Sequence, residues 1–230
     1  MPAKTNERNE NPFVISGGTK HVILCEGKDD EDFLNFYINS DGFSQYDTST
    51  IQVTQLGGKV SLRKKMAALS KVPGFDQIQS LLVIRDADND VEGARKSVKG
   101  AFQAIDFPIP QSEHKWEYRD SIKTGFLLMP SCSEESQTGA LEDLCWSIMT
   151  NKHGESICKE VVDFIESLKQ SGKRTYTHLN KAYIHTYFSA TEGLISFNIG
   201  RAARAGAFDW SSPELDPLHS FLVSMVNTDS

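Results

Sequence analysis

The chain is short of cysteine, of long apolar runs and of positive charge, and each shortage removes a class of protein. Its 230 residues include four cysteines, Cys25, Cys132, Cys145 and Cys158, none of them in a CxxC pair. A disulfide framework or a thiolate zinc site needs paired cysteines, so reduced thiols in a cytoplasmic protein are expected. No stretch of eighteen apolar residues occurs, so no membrane-crossing helix is expected. Residues 1–12 are polar and lack the apolar core of a signal peptide. Formal net charge is −7, which speaks against a broad basic surface for nucleic acid.

Hydrophobic residues make up 39% of the chain and charged residues 24%. That is enough apolar material for a real core, and the length suits one domain or one domain with an appendage. The acidic excess is local. Residues 1–150 hold 16 Lys and Arg against 22 Asp and Glu, and eleven of those acids fall in Glu26–Asp32, Asp86–Glu92 and Glu142–Asp143. The rest of that segment is positive. Bound divalent cations would neutralise part of the clustered charge.

The first two clusters each terminate an apolar run. His21-Val22-Ile23-Leu24-Cys25 leads into Glu26-Gly27-Lys28-Asp29-Asp30, and Leu81-Leu82-Val83-Ile84 leads into Arg85-Asp86-Ala87-Asp88. Short apolar runs bounded by turn residues read as buried, parallel strands. In open α/β sheets a ligand site lies beyond the carboxyl ends of such strands. Both clusters would stand there and together form a magnesium site.

Taken in order, residues 1–18 read as a loose tail. Strands are expected over Lys20–Cys25, Thr50–Leu56, Gln79–Arg85 and Lys123–Met129. Helices are expected from Asp29 or Asp30 to Asn39, around Leu62, Met66 and Leu69, and over Val91–Ile105. Phe107 to Gln111 and Pro130 to Gly139 read as loops. After a helix start near Ala140 the pattern is helical throughout: Ser156–Lys169, Thr177–Ala190, Ile195–Ala205 and Leu218–Val226. In Ser156–Lys169 the apolar positions are Val161, Val162, Phe164, Ile165 and Leu168. Strands alternating with helices and then helices alone give an α/β domain over residues 19–150. A helical extension over 151–230 would pack on it.

Each acidic motif has a competing explanation. Asp29, Asp30 and Asp32 stand where a helix start favours carboxylates; Glu26, which ends a strand before the helix begins, is not covered by that. Asp86-x-Asp88 has period two, so in extended chain both carboxylates point the same way. Their repulsion calls for a cation, although an exposed acidic loop is the simpler alternative. An EF-hand is excluded, because its glycine position is Val91 and its closing glutamate is Ser97. Gly58-Lys59 is not a Walker A loop, since Val53 and Val60 occupy required positions. Lys59 at a glycine-led helix start could meet a phosphate or be a surface lysine. Glu142 and Asp143 open a helix and also stand at the expected site edge. Lys181 and His185 share a helix face, with a structural or surface role expected for His185.

Through Glu26-Gly27-Lys28-Asp29-Asp30 and Asp86-Ala87-Asp88 the chain resembles the Toprim domain. That domain carries a Glu after its first strand and an Asp-x-Asp after its third. The resemblance covers residues 19–150, and the order and separation of the motifs match. Gly139-Ala140-Leu141-Glu142-Asp143 and Lys181-Ala182-Tyr183-Ile184-His185-Thr186 look like features of small standalone Toprim proteins related to OLD nucleases.

The resemblance implies a Toprim/Rossmann-like fold with a mainly parallel four-stranded sheet flanked by helices. It implies Glu26 as a metal ligand or general acid–base, Asp86 and Asp88 as ligands of Mg²⁺ or Mn²⁺, and Asp30 as a further acidic residue. Glu142 becomes a ligand of a second metal and Lys181 a catalytic lysine. The expected activity is phosphodiester hydrolysis of DNA or RNA, with Lys59, Arg63 and Lys181 holding the backbone and a separate ATPase as a possible partner in phage defence. The alternatives are a non-catalytic metal- or phosphate-binding partner subunit and primase-like nucleotidyl transfer. No topoisomerase tyrosine motif and no primase zinc domain is recognisable. An oligomer is compatible with this reading; membrane association is not expected.

Overall fold

Side-chain alternation along the strands sorts the core into two layers. The computed structural model describes residues 13–57, 62–132, 137–153, 155–172 and 174–227. Among them, β1 (His21–Cys25), β2 (Ile51–Gln55), β3 (Ser80–Asp86), β4 (Glu117–Arg119) and β5 (Ile122–Met129) form one sheet in the order β2-β1-β3-β5-β4. Strands β2, β1, β3 and β5 run parallel, and β4 pairs antiparallel with β5. The expected α/β architecture is present. β4 is a fifth strand, and its three residues are too few to print a periodic signal.

The helices are α1 (Lys28–Ile38), α2 (Leu62–Leu69), α3 (Val91–Ala104), α4 (Leu141–His153), α5 (Glu155–Gln170), α6 (Leu179–Ala190), α7 (Ile199–Arg204) and α8 (Asp216–Val226). Ile23, Cys25, Leu82, Ile84, Leu127 and Met129 point to one face of the sheet and meet apolar residues of α1 and α4–α8. Val22, Leu24, Leu81, Val83, Phe126 and Leu128 point to the other face and meet α2 and α3. Period two on a strand buried on both sides therefore supplies two cores from one sheet. Each such fully buried side chain contributes about 1.5–3 kcal/mol.

The helices after β5 join the α1 layer. Trp116 and Phe221 stack with ring centres 4.4 Å apart. They do so over Gly125 in β5, where a Cβ would lie 2.9 Å from both rings. Any side chain there would push α8 off the sheet. Along α5 the apolar positions divide: Val161 and Ile165 are buried, whereas Phe164 is 53% exposed. All four cysteines are buried and unpaired. Among the described residues no helix is long and apolar enough to cross a membrane.

Strand order then fixes where a ligand can go. From β1 the chain passes to β2 on one side and later to β3 on the other. The crevice between the carboxyl ends of β1 and β3 is the topological switch point, the ligand-binding position of such sheets.

Candidate functional site

Glu26 follows the last residue of β1, and Asp86 is the last residue of β3. The two strands are parallel neighbours, so both carboxylates emerge at the same rim. A cleft of about 400 Å³ opens there. Seven carboxylates line it, from Glu26, Asp29, Asp30, Asp86, Asp88, Glu142 and Asp143, together with Lys28 and Lys181.

Helix α1 begins at Lys28, two or three residues before the position that an Asp29 or Asp30 cap implies, with Gly27 as the N-cap. The backbone N–H of Gly27 donates to Asp30 Oδ2 at 3.1 Å. The other oxygen, Oδ1, is buried and has no hydrogen-bond partner among the described residues. Helix capping thus accounts for one oxygen of Asp30 and leaves the second unexplained. A buried polar atom in that condition carries a desolvation cost of about 1–3 kcal/mol, more when charged.

The extended geometry expected for Asp86-x-Asp88 does not hold. β3 ends at Asp86 and Asp88 turns into the left-handed region at φ 50°. Its backbone is bonded both ways to Gly139, Asp88 N to Gly139 O and Gly139 N to Asp88 O, each at 2.7 Å. Pairing with a distant loop displaces the local preference, and Asp86 reaches the cleft from the strand end whereas Asp88 reaches it from the turn that follows. Gly139 has φ 140°, and a Cβ there would sit 2.9 Å from Asp143 Oδ2, so only glycine fits the crossing.

Through this loop α4 arrives at the rim. The backbone N–H of Leu141 donates to Asp86 Oδ1 at 3.1 Å. Asp143 caps its own helix, accepting from Ala140 N at 2.8 Å, and accepts from Asn180 Nδ2 at 2.7 Å. Glu142 is left facing α6, where its Oε1 lies 2.7 Å from Lys181 Nζ.

The electrostatics record the convergence. Asp86 is pushed up to about 8, first by burial and then by the negative charges of Asp30, Glu26 and Glu142; the Leu141 N–H opposes the shift. Asp30 is pushed up to about 6, again mainly by burial, with the Gly27 N–H pulling it down and Glu26 and Glu142 adding to the rise. Four carboxylates from three separate segments therefore act on one another. Among the described residues, no three His, Cys, Asp or Glu side chains are already gathered into a metal-holding group.

The remaining sequence candidates fall in different places. Lys181 lines the cleft. Arg63 is exposed on α2, away from the cleft lining, and Lys59 lies outside the described residues. His185 is half-buried with its ring edge-on to Phe188. Sequence reasoning missed His178, Asn198 and Asp29 as cleft residues. Asp29 Oδ1 accepts from Gly200 N at 3.2 Å, a contact that ties α1 to α7. Asn198 had a local signal, since an Asn ahead of a helical run is a capping residue; His178 had none.

Two solved structures of similar fold are the C-terminal regions of OLD proteins. That of Xanthomonas campestris pv. campestris is 13% identical, with 90% of this chain and 94% of that chain covered and a TM-score of 0.43. That of Burkholderia pseudomallei is 11% identical, with 91% and 99% covered and a TM-score of 0.46. Among curated proteins none matches. Residues 20–227 match the family model described as "Protein of unknown function (DUF3226)". With the match running from β1 through α8, the chain belongs to the DUF3226 family.

Proposed function

We propose that the cleft is the centre of a Toprim-like nuclease that hydrolyses phosphodiester bonds of DNA or RNA with Mg²⁺ or Mn²⁺. One observation carries the reading. Glu26, Asp30, Asp86 and Glu142 are brought from three chain segments to the switch point between β1 and β3, and the charges of Glu26 and Glu142 help raise the proton affinity of the buried Asp30 and Asp86. Mutual repulsion of buried carboxylates becomes attraction when a hard cation stands among them, and magnesium needs only a few oxygen ligands beside its waters. The all-oxygen donor set and the unpartnered Oδ1 of Asp30 fit such an ion.

When bound, divalent cations supply Lewis acidity toward a phosphate and lower the pKa of a coordinated water. Glu26, Asp86 and Asp88 are the residues assigned to hold one cation, with Asp30 and Glu142 extending the set toward a second. Glu26 is also the candidate general acid–base. Lys181, drawn to Glu142, stands where a phosphate entering the cleft would meet a positive charge. With seven carboxylates at the cleft, a polyanion enters only after cations have reversed the local field. Arg63, exposed away from the cleft lining, is assigned to more distant backbone contact, Lys59 remains a proposed backbone contact from its sequence position alone, and a separate ATPase is the proposed partner.

The test is cleavage of supercoiled plasmid, single-stranded DNA and RNA in Mg²⁺ or Mn²⁺, comparing the native protein with Glu26→Ala. Divalent-dependent cleavage that falls at least 100-fold in the variant is expected. Equal cleavage by both proteins removes the role of Glu26. Calorimetric Mg²⁺ binding without hydrolysis of any of these substrates points instead to a non-catalytic binding subunit.

A further inference from the structure

The cleft has a second wall that the carboxylates do not account for. The sheet rim and α4 supply its carboxylate floor, and the segments that open α6 and α7 add His178, Lys181, Asn198 and Ile199 to its lining. A phosphodiester placed at the floor presents its outer oxygens to that wall, and those oxygens accept hydrogen bonds only.

Most donors around the cleft are already engaged. Lys28 Nζ lies 2.7 Å from Glu31 and 2.8 Å from Asp32, and Lys181 Nζ is bound to Glu142. His178 and Asn198 differ. His178 is the N-cap residue of α6, yet its side chain makes no capping bond, and its exposed ring has no hydrogen-bond partner among the described residues. Asn198 caps α7 by accepting from Arg201 N at 3.0 Å through Oδ1. That bond assigns the oxygen and therefore leaves both Nδ2 protons as donors. The cap also orients the amide.

Resting on the nuclease reading above, we propose that His178 and Asn198 form a phosphate-holding wall for a nucleic-acid strand. They donate to the non-bridging oxygens of the phosphodiester whose other side faces the carboxylate floor. Two segments more than 150 residues beyond Glu26 in the chain thereby complete the substrate site. A phosphate that met only carboxylates and cations would be held from one side and free to rotate.

The experiment uses the full chain with His178→Ala and Asn198→Ser. Serine retains the capping acceptor but is too short to carry the donor to the same place. The probes are a fluorescein-labelled oligothymidylate in Ca²⁺, read by anisotropy, and Mg²⁺ alone, read by calorimetry. Each variant is expected to bind the oligonucleotide about tenfold more weakly, the effect of one charge-assisted hydrogen bond. Mg²⁺ affinity should stay within about twofold, because the carboxylates are untouched. Where native protein cleaves, KM should rise with kcat little changed. Oligonucleotide affinity equal to native in both variants overturns the wall while leaving the nuclease reading intact. Tight, variant-sensitive binding without cleavage supports the wall and ends the nuclease reading. Loss of Mg²⁺ affinity in step with oligonucleotide affinity overturns the wall, since it marks a general disturbance of the cleft.

Discussion

The carboxylate of Asp86 accepts a hydrogen bond from the backbone N–H of Leu141 at 3.1 Å, across 55 positions of the chain. That bond ties the end of β3 to the start of α4, and so sets Glu142 against Asp86. The same bond eases the burden on Asp86, a buried carboxylate surrounded by three others.

Replacing Asp86 with Asn should stabilise the protein in the absence of divalent cations. The amide keeps an acceptor for Leu141 and removes a buried charge. Because folding raises the pKa of Asp86 from 3.8 to about 8, the folded state retains a proton that the unfolded state has already released. This contribution is absent below about pH 4 and grows more destabilising as pH rises toward 8. Urea unfolding at pH 5 and pH 8 should show the variant's advantage growing with pH, to about 2–4 kcal/mol. An advantage independent of pH would show that the charge of Asp86 is not the cause.

Magnesium should raise the melting temperature of the native protein. At about a hundredfold excess over its dissociation constant, a ligand of the folded state adds about 2.7 kcal/mol. The Glu26→Gln and Asp86→Asn variants should lose most of the increase. Thermal unfolding with Mg²⁺ and with EDTA decides this, and identical melting in both would contradict a cation site.

Gly139→Ala should cost about 1–3 kcal/mol of stability. The residue has φ 140°, and an added Cβ would lie 2.9 Å from Asp143 Oδ2. Because Gly139 also holds Asp88 through two backbone bonds, divalent affinity should fall by more than the change in stability alone produces. Paired urea and calorimetric titrations separate the two effects.

Gly200→Ala should separate α7 from α1. A Cβ at position 200 would lie 2.7 Å from Asp32 Cβ, and the N–H of Gly200 is the donor to Asp29. A loss of about 1–3 kcal/mol is expected from overpacking. Unchanged unfolding would show that α7 can shift without cost.

Much of this molecule can be read locally. His21–Cys25 and Ser80–Asp86 announce themselves as strands because a parallel strand buried on both faces must be apolar throughout. Glu26 and Asp86 then stand out, because a carboxylate directly after such a run has no reason of packing to be there. The helices of the second half show through their period, although apolarity alone does not bury Phe164: the pattern records amphipathicity, and which part of the apolar stripe finds a partner depends on the neighbours.

The sequence by itself determined the run of strands and helices and the two acidic strand ends, since hydrophobic period and abrupt changes of polarity are properties of short segments. Only the tertiary structure decided that β1 and β3 are neighbours, that Asp88 leaves the extended line to pair with Gly139, and that Glu142 meets Lys181. It alone brought His178 and Asn198 to the same cleft as Glu26. Those relationships are settled by long-range packing of two layers on one sheet, whose contacts join residues with no pattern in common along the chain.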